Sequence, residues 1–144
     1  MTQRTVKEII EGQEPVIAPA TTTVSDAARL MKQHNIGAIM VVEGEKLAGI
    51  FTERDALFRV LAGGLDGDTT QLASVMTRNP QTIAPDANFT TALQMMHDGR
   101  YRHLPVVEEG RVIGVVSVRD ALGPELEAFV YEMLRQEQIQ EVLA

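Results

Sequence analysis

Apolar residues change their spacing several times along the chain. Val24, Ala27, Ala28 and Met31 lie three or four apart, as do Phe89, Ala92, Leu93 and Met96, so each set forms one stripe of a helix. Thr23 and Asn88 stand just before these stripes and suit helix N-caps. The run Ala38–Glu43 is β-prone, Glu43-Gly44-Glu45-Lys46 reads as a polar hairpin turn, and Leu47–Thr52 returns as a second strand. Glu109-Gly110 and Val112–Ser117 repeat the turn and the returning strand. Short strands are expected to end at Pro19 and Pro85, because proline forces the residue before it into an extended conformation. Further helices are expected to start near Glu53 and Val118.

The chain carries this series of strand, helix, strand, strand and helix twice. An offset of 65 residues aligns Val24–Leu57 with Phe89–Leu122 without a gap, and upstream an offset of 66 pairs Ile17-Ala18-Pro19 with Ile83-Ala84-Pro85. Both copies contain Ala-x-x-x-Met, then Val-Val-Glu, then Gly-x-x-[Thr/Ser]-x-Arg-Asp-Ala-Leu. The pattern predicts an α+β fold of two β-α-β-β-α repeats. Each repeat has a three-stranded sheet with helices on one face. The other face, expected at Ile39, Val41, Ile50 and Val115, would be wet in a single copy, so two copies bury it against each other with pseudo-twofold symmetry. The expected boundaries are repeat 1 over 5–63, a linker over 64–70, repeat 2 over 71–123 and a C-terminal amphipathic helix over 124–144. Gly63-Gly64-Leu65-Asp66-Gly67-Asp68 is a turn region. It lacks the regularly spaced oxygen ligands and closing Glu of a calcium loop, which leaves the aspartates as turn formers.

Composition narrows the function. A net charge of −7 opposes the phosphate backbone of nucleic acids, and the densest basic spot, Arg100, Arg102 and His103, is the size of one phosphate rather than a duplex footprint. The absence of cysteine excludes disulfides, thiolate metal sites and cysteine nucleophiles. No apolar run reaches membrane-spanning length and no apolar signal core follows Met1, so a cytoplasmic protein without membrane contact is expected. No Ser/His/Asp set, paired-histidine metal motif or phosphate loop emerges. His34, His97 and His103 are the only histidines, and the first two fall in the last turns of expected helices. The chain therefore reads as a non-enzyme with no required cofactor.

Gly49-Ile50-Phe51-Thr52-Glu53-Arg54-Asp55 and Gly114-Val115-Val116-Ser117-Val118-Arg119-Asp120, with Arg102-His103-Leu104-Pro105-Val106-Val107 and the lead-in Val75-Met76-Thr77-Arg78-Asn79-Pro80, resemble the CBS domain family, named after cystathionine β-synthase. The likeness covers about residues 5–123. It implies a tandem pair with a cleft between the sheets that binds AMP, ADP, ATP or S-adenosylmethionine, usually as a homodimer, and regulates an attached or separate protein. No enzyme, channel or transporter domain accompanies the repeats in this sequence. In that frame Asp55 and Asp120 would accept two hydrogen bonds from a ribose diol. Thr52 and Ser117 would contact ribose or phosphate, aided by free amides where a helix begins. Backbone near Ile17, Ile83, Gly37-Ala38 and Arg102-His103 would pass the base edge. Arg102 and His103, matched by Gly37 and Ala38 in repeat 1, would serve a phosphate near Asp55, and Arg54 and Arg119 are further candidates for that contact. A second reading stays open: Thr-x-x-Asp and Ser-x-x-Asp at strand–helix junctions also form capping boxes, and the arginines also suit surface ion pairs.

After Gly123, Pro124 fits the first turn of a helix. Leu126, Phe129, Val130, Met133 and Leu134 make an apolar stripe, with a second patch at Ile139, Val142 and Leu143. This helix packs back on the repeats or across a homodimer, the latter being the expectation. The function expected is a regulatory sensor for an adenosine-containing ligand that signals to an unidentified partner protein. The alternative is a ligand-free dimerisation scaffold.

Overall fold

The computed structural model describes residues 4–143. In chain order the elements are α1 (Val6–Ile10), β1 (Ile17–Pro19), α2 (Val24–His34), β2 (Ala38–Glu43), β3 (Lys46–Thr52), α3 (Glu53–Asp55), α4 (Leu72–Val75), β4 (Thr77–Arg78), α5 (Phe89–Gly99), β5 (His103–Glu108), β6 (Arg111–Ser117) and α6 (Gly123–Leu143). A π-helical segment, Ala56–Leu61, continues α3, and a single 3-10 turn, Val118–Asp120, follows β6.

The two hairpins, β2–β3 and β5–β6, are superimposable in register. Each carries its bulge at the equivalent place, between Val41 and Val42 and between Val106 and Val107. They meet edge to edge only at Lys46 and Arg111. Three apolar layers result. Val24, Ala27 and Met31 of α2 pack on Ile39, Val41 and Phe51 in repeat 1. Phe89, Ala92, Leu93 and Met96 of α5 pack on Leu104, Val106 and Val116 in repeat 2. Between the repeats, Ala38, Met40 and Ile50 meet Leu47, Val112 and Val115.

This middle layer corrects one expectation. Ile50 and Val115 do face the other repeat, but Ile39 and Val41 point to the helices, and Ala38 and Met40 take the shared face. Five of the six β2 residues are buried. A strand covered on both sides shows no polar–apolar alternation, so its pattern does not say which parity faces which layer.

Each repeat borrows a segment from the other's lead-in. Val6 and Ile10 of α1 sit in the repeat 2 core, and Leu72, Val75 and Met76 sit in the repeat 1 core. The glycine of the repeated motif makes room for this exchange. A Cβ on Gly49 would lie 2.6 Å from Met76 Sδ and 2.7 Å from the Thr77 carbonyl oxygen; one on Gly114 would lie 2.9 Å from Ile10 Cβ and 3.0 Å from Gln13 Oε1. The lead-ins then dock differently. Repeat 1 receives main chain, with β4 pairing to β3. Repeat 2 receives a side-chain amide, with the Val115 N–H donating to Gln13 Oε1 at 2.7 Å and Gln13 Nε2 donating to the Val115 carbonyl at 3.2 Å.

Three further expectations change. The strand before Pro85 reduces to a single bridge, Ile83 to Val106. Asn88 occupies the N-cap of α5, but its side chain makes no cap bond, whereas Thr23 Oγ1 accepts from the Asp26 N–H at 3.2 Å. The helix expected from Val118 stops after one turn, and the chain runs extended at Ala121 before α6 begins. Phe129 of α6 packs against the repeat 2 core, with its ring edge-on to His97 at 5.8 Å. Leu126, Val130 and Leu134 remain exposed. The Val142 and Leu143 side chains of the second expected patch lie outside the described residues. No helix among the described residues is long and apolar enough to cross a membrane.

Candidate functional site

Two clefts open where β3 and β6 give way to the following turns. The larger, about 690 Å³, brings Thr52, Asp55 and Phe58 of repeat 1 together with the lead-in residues Thr77, Asn79 and Gln81 and with Arg100, Tyr101, Arg102 and His103 of repeat 2. The smaller, about 570 Å³, is its pseudo-twofold counterpart: Asn35, Ile36 and Gly37 stand where the larger has Arg100, Tyr101 and Arg102, and Ser117 and Arg119 stand where it has Thr52 and Arg54. Lys32 also faces the smaller cleft. Both volumes fall in the range of small-molecule sites, about 300–1,000 Å³.

Local bonding sets Thr52 and Asp55. Thr52 Oγ1 accepts from the Asp55 N–H at 3.2 Å, and Asp55 Oδ2 accepts from the Thr52 N–H at 3.0 Å, which is a reciprocal capping box. Asp55 Oδ1 lies 3.4 Å from Arg59 Nε, and Arg59 also donates to the carbonyls of Val75 and Met76. The capping reading of this motif is the one seen, and the cap fixes a carboxylate that borders the cleft and keeps unused lone pairs. The Asp55 amide is occupied by the Thr52 hydroxyl, so this helix start offers an anion fewer free N–H groups than expected.

In repeat 2, the Ser117 N–H donates to Asp120 Oδ2 at 2.8 Å. Ser117 and Arg119 line the smaller cleft, while Asp120 lines neither. The Asp120 carbonyl accepts from Arg4, which also pairs with Glu125. Glu125 in turn accepts from the Leu122 N–H at 2.9 Å and so anchors the start of α6. Ile17, Ala38 and Ile83 stand back from both clefts. Ala38 is buried between the repeats, Ile17 lies exposed on β1, and Ile83 is buried with both main-chain groups bonded to β5.

Arg102 and His103 are held by β-pairing. The Val118 N–H donates to the Arg102 carbonyl at 3.2 Å, and His103 lies opposite Ser117. Burial is the main cause holding the His103 imidazole below its ordinary range; Glu53 raises it, Arg102 and Arg119 lower it, and Asp120 raises it slightly. Burial therefore favours the neutral ring.

Glu53, Tyr101 and Gln81 were not singled out in the sequence, and Arg100 was noted only as part of the basic spot with Arg102 and His103. Arg100 had a legible signal: it aligns with Asn35 after the equivalent helix, and both take left-handed backbone, φ 59° and 53°. Asparagine suits that conformation, whereas arginine is unusual there. The Tyr101 hydroxyl donates to Gln81 Oε1, and both residues line the larger cleft.

A family model for the CBS domain matches residues 6–62 and 72–124. The chain belongs to the CBS domain family. It is 37% identical over 115 residues to the CBS domain-containing protein YhcV of Bacillus subtilis, covering 80% of this chain and 81% of that protein. It is 40% identical over 105 residues to the mitochondrial CBS domain-containing protein CBSX3 of Arabidopsis thaliana, covering 69% of this chain and 51% of that protein. The chain thus spans about half of CBSX3's length. Among solved structures, the CBS domain pair of protein MJ0100, in complex with 5′-methylthioadenosine and S-adenosyl-L-methionine, is 28% identical with a TM-score of 0.74, covering 83% of this chain and 93% of that one. The fold is that of tandem CBS-domain pairs, and no catalytic family is indicated.

Proposed function

We propose that this CBS pair is a regulatory sensor that binds an adenosine-containing ligand in its larger cleft and passes occupancy to a partner protein. One observation carries the reading: Thr52 and Asp55 of one repeat share a cleft with Arg102 and His103 of the other. A ribose diol would bond the Asp55 carboxylate, with Thr52 beside it, and a phosphate would meet Arg102 and His103. Phe58 and Tyr101 offer apolar surface for the base. The methylthioadenosine and S-adenosylmethionine held by MJ0100 support an adenosine ligand for this fold. Ser117 and Arg119, in the smaller cleft, form a second station, with Asp120 shaping the turn behind it. The ligand signals by favouring one angle between the repeats over another.

The sensor is a homodimer. Leu57, Leu61 and Leu65 at the end of repeat 1 and Leu122, Leu126 and Val130 at the end of repeat 2 are all exposed, so each half ends on an apolar face. A twofold partner would cover these two apolar faces.

Thermal melting and calorimetry with AMP, ATP, adenosine and S-adenosylmethionine test the sensor. A ligand at a hundred times its dissociation constant adds about 2.7 kcal/mol of stability. No shift with any of the four removes the reading.

A further inference from the structure

The two clefts share a wall. Glu53 from repeat 1 and Arg102 and His103 from repeat 2 line both. At Gly37 this wall is thin: a Cβ there would lie 3.1 Å from Glu53 Oε1 and 3.3 Å from His103 Nε2, so those two side chains crowd the same point from different repeats. Among the described residues Arg102 makes no ion pair, so its charge is uncommitted. Repeat 1 has Gly37 and Ala38 at the equivalent positions, so it supplies no second Arg-His pair and gives the smaller cleft Lys32 alone.

We propose that the chain holds one phosphate-bearing ligand at a time, because the two clefts compete for Arg102 and His103. This rests on the adenosine-ligand reading above. A guanidinium presents its fork of donors to one polyanion. Once Arg102 and His103 turn to a phosphate in the larger cleft, the smaller one keeps Lys32 and Arg119 but faces the Glu53 carboxylate across the shared wall. Occupation of the smaller cleft takes the same pair from the larger one, which keeps Arg54, Arg59 and Arg100 and is therefore the stronger station. A second phosphate group would also stand close to the first, with only these side chains between them, and would be repelled. The coupling is reciprocal, so each site weakens the other by the same factor. Occupancy is then a choice between two stations, made through the shared side chains of Arg102 and His103.

Native mass spectrometry and calorimetry of the full chain with ATP test this. The expected result is one ATP per chain, with any second equivalent weaker by at least about tenfold at low salt. Raising the salt to about 0.5 M, where charges are screened within a few ångströms, should narrow that gap. The double variant Lys32→Ala/Arg119→Ala should keep the first equivalent and lose the second. Two equal and independent ATP equivalents would overturn the competition and leave the sensor standing. A gap that salt does not change would overturn its electrostatic basis. Binding of S-adenosylmethionine or adenosine but of neither ATP nor AMP would overturn this inference and leave the sensor standing, and no binding of any of the four would remove both.

Discussion

The two repeats agree in their interiors and differ at their edges. Both place the same helix over the same bulged hairpin, and both use the motif glycine as a bed for a lead-in from the opposite half. They part where the strands end. Repeat 1 continues into a helix and has Gly37-Ala38 at the start of its inner strand; repeat 2 makes one 3-10 turn, hands its helical role to α6 and puts Arg102-His103 at the same place. Duplication kept what buries apolar surface and released what meets solvent. That release converts a symmetric scaffold into one with two unequal clefts.

The largest test concerns the shared interior. Phe51→Ala in repeat 1 and Phe89→Ala in repeat 2 each remove a fully buried ring and should each cost about 3–5 kcal/mol in urea denaturation. Because each core contains a segment from the other half, both variants should still unfold in one transition. A half that melts separately would break the equivalence.

The unequal edges come next. Arg102→Ala/His103→Ala should weaken a phosphate-bearing ligand about 10- to 100-fold by calorimetry, the effect of losing charge-assisted hydrogen bonds worth about 1.5–3 kcal/mol. The pH dependence sharpens this. His103 is held below its ordinary value of 6.5, so it favours the folded state while neutral. That stability is present above the unfolded value and is lost as the pH falls below 6.5 toward the depressed folded value. A bound phosphate favours the imidazolium, so affinity should rise over the same descent in pH. His103→Ala should flatten both trends.

Smaller effects compare the two junctions. Thr52→Ala removes the hydroxyl that accepts from the Asp55 N–H and should cost about 1 kcal/mol of thermal stability. Arg100→Asn restores the residue type that repeat 1 uses at its left-handed position and should stabilise the unliganded chain by about 0.5–1 kcal/mol while weakening ATP. An arginine replacement that raises affinity would separate Arg100 from the ligand.

Much of this organisation was legible beforehand. The register of the repeats, the helices α2 and α5, and both hairpins follow from spacing and turn residues, because each helix has one covered face and polar turns mark the hairpins. The parity of β2 was not legible, since Ala38 to Val42 are all buried. Neither was the crossing of the lead-ins: Val6, Ile10, Leu72 and Val75 lie on helices of four or five residues, too short to show a period and defined by distant partners. In the candidate site, Thr52, Asp55, Arg102 and His103 were visible as motif residues. Glu53 was hidden in the motif's variable position, and its place on both clefts depends on how the halves meet.

The exchanged lead-ins have a consequence for origins and for engineering. A fragment carrying one repeat and its own leading helix has no internal seat for that helix. Two identical fragments could each lend theirs to the other and rebuild the same arrangement as a swapped pair. Joining such a pair end to end would need only a connector like the Gly-rich stretch at 63–67, so the present chain has the form of an ancestral two-chain assembly made covalent. Cutting that connector should leave two pieces that stay interlocked rather than drift apart.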